Sequence, residues 1–133
     1  MTSRVIIGLG SNIDPGVHIP QALACLRQAF VILGETPVLR TKPVGYTEQA
    51  DFWNTAALIE TALDADALRA WLKETESRLG RVRSPNKFGP RTIDLDILVW
   101  DGAIVDPDVY TRPFLQELIL ALLPDYPQTE FNP

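Results

Sequence analysis

The sequence predicts an α+β fold in a single domain, residues 1–133, and three observations carry this prediction. Four short segments are either continuously apolar or alternate between apolar and polar residues, as strands do. Two longer segments between them have the apolar spacing of amphipathic helices. The hydrophobic content of 46% and charged content of 22% are typical of a soluble globular protein, and 133 residues can bury a core.

The first predicted strand and helix are joined by a tight turn. Residues 4–10 are apolar enough for a central strand, and residues 10–16 contain the Gly, Asn, Asp and Pro that such turns require. We expect Pro20 in the first turn of the helix, where its missing N–H costs little. Gly34 is the expected end of this helix.

The middle of the chain predicts two strands and a second helix. One strand starts at Val38 and gives way to a mobile loop at residues 42–51, which contain a proline and a glycine. A further strand is expected at residues 55–61. Asp64 is a plausible N-cap for the second helix, with Asp66 as the alternative, and the helix is expected to run to Leu79.

The predicted strand before the C-terminal hairpin carries two aspartates. One parity of this strand is apolar, at Ile93, Leu95, Ile97 and Val99. Asp94 and Asp96 occupy the other parity and should project from the same face. Asp101-Gly102 predicts a hairpin, and residues 113–123 predict a short helix. The order is that of a ferredoxin-like βαββαβ sandwich with an added C-terminal hairpin strand and short helix. It implies an antiparallel sheet with two helices on one face and the aspartates on the open face.

Charge and composition restrict the function. A net charge of −5 argues against a general nucleic-acid binder, and the apolar run at residues 118–123 is too short to span a membrane. The single cysteine, Cys25, excludes an intramolecular disulfide and fits a reducing compartment. We expect a cytoplasmic monomer that binds small molecules rather than nucleic acid or membrane.

The aspartate pair is the first candidate site. Two adjacent carboxylates repel, and a divalent cation such as Mg²⁺ relieves that repulsion. Four cations precede the strand in a loop without acidic residues: Arg81, Arg83, Lys87 and Arg91. Together these groups favour a polyphosphate ligand, which the metal and the guanidiniums would share. The alternative is a solvated strand face next to a solvated basic loop.

Two further positions have open interpretations. Phe52 and Asn54 are two residues apart and could present a ring and an amide to a flat heterocycle. The alternative is that Phe52 belongs to the core and Asn54 ends a turn. Glu76 lies close to the buried stripe of its helix and is either a ligand contact or an ion-pair partner of Arg81 or Arg83.

At these residues the chain resembles the 6-hydroxymethyl-7,8-dihydropterin pyrophosphokinase family. The strongest match is residues 87–98, KFGPRTIDLDIL, and the GSN turn at residues 10–12 also matches. Residues 40–45, RTKPVG, residues 80–83, GRVR, and the pair Phe52 and Asn54 extend the resemblance over roughly residues 4–105. The family transfers pyrophosphate from ATP to the hydroxymethyl group of the pterin, in folate biosynthesis, and releases AMP.

The resemblance implies a role for each matching residue. Asp94 and Asp96 would hold two Mg²⁺ ions that bridge the triphosphate, and Arg81 and Arg91 would meet the phosphates as catalytic residues. The pterin would be bound by Thr41, Val44, Phe52, Asn54 and Phe114, with Phe52 and Phe114 stacking on its faces and Thr41 and Val44 acting partly through backbone groups. ATP would be bound by Glu76, Arg83, Phe88, Ile97 and Arg112.

The chain departs from the family after residue 105, where members usually have a Pro-His segment. Here Val105 leads to Arg112 without a histidine, and the loss of one charged hydrogen bond, about 1.5–3 kcal/mol, predicts weaker ATP binding or slower turnover. Two alternatives stay open: a non-catalytic relative that binds nucleotide or pterin, and an ATP-dependent transferase with another alcohol acceptor.

Overall fold

The computed structural model describes residues 1–43, 48–80 and 92–133. Two short 3₁₀ helices, Pro107–Tyr110 and Gln128–Phe131, lie before and after the C-terminal α-helix. The regular elements are β1 (Ser3–Ser11), α1 (Pro15–Ala29), β2 (Val31–Glu35), β3 (Leu39–Thr41), β4 (Phe52–Thr61), α2 (Ala65–Arg78), β5 (Asp94–Trp100), β6 (Ala103–Ile104) and α3 (Pro113–Leu122).

The strands of the described residues form one antiparallel sheet in the order β2-β4-β1-β5-β6, with β3 also paired to β4. The predicted α+β class and antiparallel sheet are therefore confirmed. β1 is central, as its apolar sequence predicts, because it pairs with β4 on one side and β5 on the other. None of the helices in the described part of the chain has the length and apolar character needed to span a bilayer.

The two faces of the sheet carry separate cores. Helices α1 and α2 cover one face, where the buried residues include Ile7, Leu26 and Leu72. Helix α3 packs on the other face, against Ile6 and Leu98 among others. The expectation that this second face is open is therefore wrong over the part that α3 covers. The buried residues of α3 are Leu115, Leu118 and Ile119, so leaving the helix undocked would expose a hydrophobic surface.

The first helix lies earlier in the chain than predicted. It begins at Pro15 and ends at Ala29, so Pro20 is in its interior rather than in its first turn. Gly34, which was expected to end the helix, belongs with Leu33 to β2, where alternate residues are exposed and the strand pairs with β4. Leu33 has helical spacing relative to the core residues of α1 only by coincidence.

A β-bulge in the pairing of β1 and β5 changes which residues of β5 share a face. Ile6 pairs with Val99 and Ile7 pairs with Ile97, so Leu98 is the extra residue. Leu98 and Val99 consequently both pack in the core beneath α3. The expectation that Val99 shares a face with Ile97 is wrong for this reason.

Candidate functional site

The candidate site lies on the α3 side of the sheet, where residues of three neighbouring strands are in register. Gly10 of β1 pairs with Asn54 of β4 on one side and with Asp94 of β5 on the other. Two residues away on β1, Gly8 pairs with Asp96. Paired residues project to the same face of a sheet. The amide of Asn54 and the two carboxylates therefore stand on either side of a strip of glycine backbone.

The two glycines of β1 keep the floor of this cleft low. A Cβ atom at Gly10 would lie 3.1 Å from Asn54 Oδ1 and 4.0 Å from Phe52 Cδ1. A Cβ atom at Gly8 would lie 3.0 Å from Leu98 Cδ1. Neither glycine has a positive φ, so what these positions require is space rather than an unusual backbone conformation. These contacts also place Phe52 and Asn54 on the same side, as their spacing predicts.

Asn54 is buried, and its amide is fixed by β3. It is 8% exposed, and its Nδ2 donates a hydrogen bond of 2.7 Å to Thr41 Oγ1. Across the cleft, Arg112 and Phe114 line the wall at the start of α3. Arg112 forms an ion pair of 3.7 Å with Asp108. The structure thus places a fixed amide, an aromatic ring and a guanidinium around one cleft.

The carboxylates repel one another in this cleft. Asp96 lies at the mouth of the cleft, where its side chain is exposed. Desolvation by the surrounding protein nevertheless raises the pKa of Asp96 to about 8, and the charge of Asp94 and a hydrogen bond with Asp94 act in the same direction. Asp106 and Glu76 add to this effect. Oxygen ligands with unbalanced negative charge are what Mg²⁺ prefers, so the residues fit the cation that the sequence predicts. Within the described residues, no group of three or more His, Cys, Asp or Glu is arranged to hold a metal.

The raised pKa of Asp96 predicts how the stability of the metal-free protein depends on pH. The folded protein keeps the Asp96 proton up to a pKa of about 8, whereas the unfolded chain loses it near the ordinary value of 3.8. Between these values the unfolded state binds fewer protons, so stability falls as the pH rises. Thermal unfolding in a chelator from pH 4 to pH 8 should show Asp96→Asn gaining stability relative to the wild type. A difference that is independent of pH would contradict the prediction.

A second depression lies beyond the edge of β5, on the side of α2. It is lined by Ile97 and Lys73, and Asp96 and Asp106 border both this depression and the cleft. Five of the predicted site residues lie outside the described residues: Val44, Arg81, Arg83, Phe88 and Arg91. The others, apart from Glu76, which is buried behind β5, line or adjoin these two cavities.

Sequence reasoning missed several residues of the site. Asp106 lies beside the aspartate pair because the hairpin returns the chain to β5, where the Asp106 N–H approaches the Leu98 carbonyl at 3.5 Å. Desolvation raises the pKa of Asp106 as well. A second pair of aspartates one residue apart, at 106 and 108, is the signal that could have revealed it. The alternation Gly8-Leu9-Gly10 could likewise have revealed the floor.

The GSN turn has a structural role at the end of the cleft. Asn12 is buried, and its Nδ2 donates hydrogen bonds to Gln49 Oε1 at 2.7 Å and to the Ala50 carbonyl at 3.0 Å. It thereby ties the segment before β4 to the end of β1. This anchoring accounts for the motif without a phosphate loop.

The fold and the cleft together define an α+β protein with a carboxylate-lined site for small ligands. The sequence profile of 7,8-dihydro-6-hydroxymethylpterin-pyrophosphokinase matches residues 6–124. The chain belongs to this family.

Named relatives agree with this assignment. The 2-amino-4-hydroxy-6-hydroxymethyldihydropteridine pyrophosphokinase of Bacillus subtilis is 36% identical over 129 residues, which are 93% of this chain and 77% of the relative. The protein of the same name from Methylorubrum extorquens is 35% identical over 127 residues, 92% of this chain and 80% of the relative. The mitochondrial folate synthesis bifunctional protein of Pisum sativum is 34% identical over 130 residues, 90% of this chain and 25% of the relative.

Proposed function

We propose that the protein transfers pyrophosphate from ATP to 6-hydroxymethyl-7,8-dihydropterin, giving AMP and the pterin diphosphate, in folate biosynthesis. One observation carries the proposal: a fixed amide and a pair of carboxylates flank the same strip of glycine backbone. A pterin held by the amide would extend its hydroxymethyl group towards a metal-bound triphosphate held by the carboxylates. Family membership supports this choice of substrates.

Asp94 and Asp96 are the proposed metal ligands, with two Mg²⁺ ions as the expected number. When bound, Mg²⁺ would neutralise charge on the triphosphate and align its β-phosphorus with the attacking hydroxyl. The two aspartates are suited to this role because both project from the same face of β5. The acceptor hydroxyl is uncharged, so alignment and charge neutralisation are the main tasks of the site.

The pterin is proposed to lie on Gly10 with its polar edge on Asn54 and Thr41. Phe52 would pack on one face of the ring, and Phe114, from the opposite wall, on the other. Val44 belongs to the same proposed site, partly through its backbone. Because Asn54 is buried and already oriented by Thr41, little ordering is needed when the pterin binds.

The nucleotide is proposed to occupy the side of the cleft next to α2. Ile97 lines the second depression there, and Arg112 stands at the junction with the cleft. Arg81, Arg83, Phe88 and Arg91 complete the proposal as the groups that would meet the phosphates and cover the site. Excluding water protects ATP from simple hydrolysis.

The test is formation of AMP. The protein is incubated with ATP, Mg²⁺ and the hydroxymethyl dihydropterin, and AMP is followed by chromatography, with controls that lack pterin or metal. AMP that requires both supports the proposal. Binding of ATP and pterin without AMP would indicate the non-catalytic relative, and AMP formed only with another alcohol would indicate a different acceptor.

The ferredoxin-like topology is part of the same proposal, and the observed strand order supports it.

Gly10→Ala should weaken pterin binding with little effect on ATP. The added Cβ would crowd the Asn54 amide at 3.1 Å, and overpacking costs about 1–3 kcal/mol. We expect the KM for pterin to rise about tenfold, the equivalent of 1.4 kcal/mol. Gly16→Ala is the matched control, since its Cβ would meet only the Trp53 ring at 3.9 Å. Equal KM values for the two variants would contradict a floor role for Gly10.

A further inference from the structure

Glu76 is buried in a place that is unfavourable for a carboxylate. It is 3% exposed and lies near the end of α2, where the partial negative charge of the helix terminus opposes an anion. It also lies near Asp96, whose charge repels it. Both effects oppose a negative charge at this position. A role that needs a strong hydrogen-bond acceptor would explain the carboxylate.

Such a role is visible in the contact of Glu76 with β5. The Leu95 N–H donates a hydrogen bond of 2.7 Å to Glu76 Oε2, in a buried environment. Leu95 is the residue between the two proposed metal ligands. Its N–H points to the edge of β5 away from β1, since alternate backbone groups of a strand face opposite edges.

This edge of β5 is covered by β6 only at the other end of the strand. The pairing of β5 with β6 comprises Val99 with Ile104 and Trp100 with Ala103. Glu76 takes the position that a neighbouring strand would have at Leu95. A charged acceptor makes a stronger hydrogen bond than a backbone carbonyl does. One bond from α2 can therefore hold this end of β5 in place.

We propose that Glu76 is a positioning residue, whose carboxylate fixes the backbone of Leu95 and thereby sets the geometry of Asp94 and Asp96 for a divalent cation. The inference rests on the proposed function, from which it takes the two aspartates as cation ligands. The expectation that Glu76 contacts ATP stays a separate prediction. The side chain acts from behind the strand, so it needs no contact with either substrate.

The experiment compares three variants of the full chain with the wild type. Glu76→Ala removes the acceptor, and Glu76→Gln keeps an acceptor oxygen but removes the charge. Glu74→Gln is the matched control, because it removes one carboxylate from the exposed side of the same helix. Three quantities are measured: the affinity for Mn²⁺ alone by titration, the amide hydrogen exchange of Leu95 by NMR, and separate KM values for pterin and for the metal–ATP complex.

We expect Glu76→Ala to weaken Mn²⁺ binding about tenfold, a difference of about 1.4 kcal/mol, and to speed exchange of the Leu95 amide. The KM for the metal–ATP complex should rise, whereas the KM for pterin should stay within about twofold, well under 1 kcal/mol. Glu76→Gln should lie between the wild type and Glu76→Ala in Leu95 exchange and Mn²⁺ affinity, because it keeps an acceptor oxygen but loses the charge that strengthens the hydrogen bond. Glu74→Gln should match the wild type in all three measurements.

Two results would overturn the inference. One is unchanged Mn²⁺ affinity and Leu95 exchange in Glu76→Ala; the other is weaker Mn²⁺ binding with unchanged Leu95 exchange, which would assign the effect to charge alone. If Glu76→Ala does not fold, Glu76→Gln decides: faster Leu95 exchange together with weaker Mn²⁺ binding supports the inference, and any other result overturns it. Failure of the proposed function gives a different result. In that case the wild-type protein forms no AMP, although it still binds Mn²⁺ and Glu76→Ala weakens this binding.

Discussion

Asp96→Ala is expected to lower kcat/KM for AMP formation by about 10³-fold, because it removes one of the two carboxylates proposed to bind the metal. Charge stabilisation by a bound metal is worth several kcal/mol, and each 1.36 kcal/mol is about tenfold in rate. The loss should appear at saturating pterin, since Asn54 and the glycine floor are unchanged. The measurement is the AMP assay over a range of Mg²⁺ concentrations.

The control for this change is Asp125→Ala, which removes an exposed carboxylate beyond the end of α3. It should leave the rate unchanged. Full activity in Asp96→Ala would refute the assignment of Asp96 as a metal ligand. The same variant should not unfold the protein, because removing Asp96 relieves repulsion from Asp94.

Asn54→Ala is expected to raise the KM for pterin by about 10²-fold. The change removes a buried amide, and a buried partner left without its hydrogen bond costs about 1–3 kcal/mol. Thr41 Oγ1 also loses the donor that holds it at 2.7 Å. Because the triphosphate is proposed to bind at the carboxylates rather than at the amide, the KM for ATP should change little. Steady-state kinetics with each substrate varied in turn measure both values.

Thr61→Val provides the control on the same strand. Thr61 is also buried, and its hydroxyl accepts a hydrogen bond from the Leu63 N–H at 3.1 Å, at the far end of β4 from the cleft. Thr61→Val should leave the KM for pterin unchanged if the effect of Asn54→Ala is local to the cleft. A similar rise in KM for both variants would point to general destabilisation of β4.

Local chemistry in the sequence was enough to predict several elements. Asp64 caps α2 through a hydrogen bond of 2.8 Å from the Ala67 N–H, as its position predicts. The Asp101-Gly102 hairpin has positive φ angles of 46° and 85°, which such dipeptides favour. These features depend on a few neighbouring residues, and this is why the sequence reveals them.

Other features depend on partners that are distant in the sequence. The bulge at Leu98 exists only in the pairing with β1, so the alternation of β5 by itself could not predict that Val99 changes face. β2 contains Leu33 at a spacing that fits a helix equally well, and only pairing with β4 decides between them. Tertiary context overrides local pattern in both cases.

The same distinction applies to the site. Asp94 and Asp96 were predictable because two residues on one strand share a face. The glycine floor was missed because Gly10 acquires its meaning from Asn54 and Asp94, which are far away in sequence. The metal-binding role of Asp94 and Asp96 and the pterin-binding role of Asn54 stay predictions until the variants are measured.

The central place of β1 has a consequence for how the chain folds during synthesis. One edge of β1 pairs with β4, and the other edge pairs with β5, which is synthesised later. The Arg4 N–H also donates a hydrogen bond to Asp101 Oδ1, 97 residues further along the sequence. Until β5 has emerged from the ribosome, β1 is an apolar strand with an open edge, which invites pairing with other chains. The cleft therefore forms among the last parts of the molecule, and slow synthesis should favour aggregation of the nascent chain over completion of the sheet.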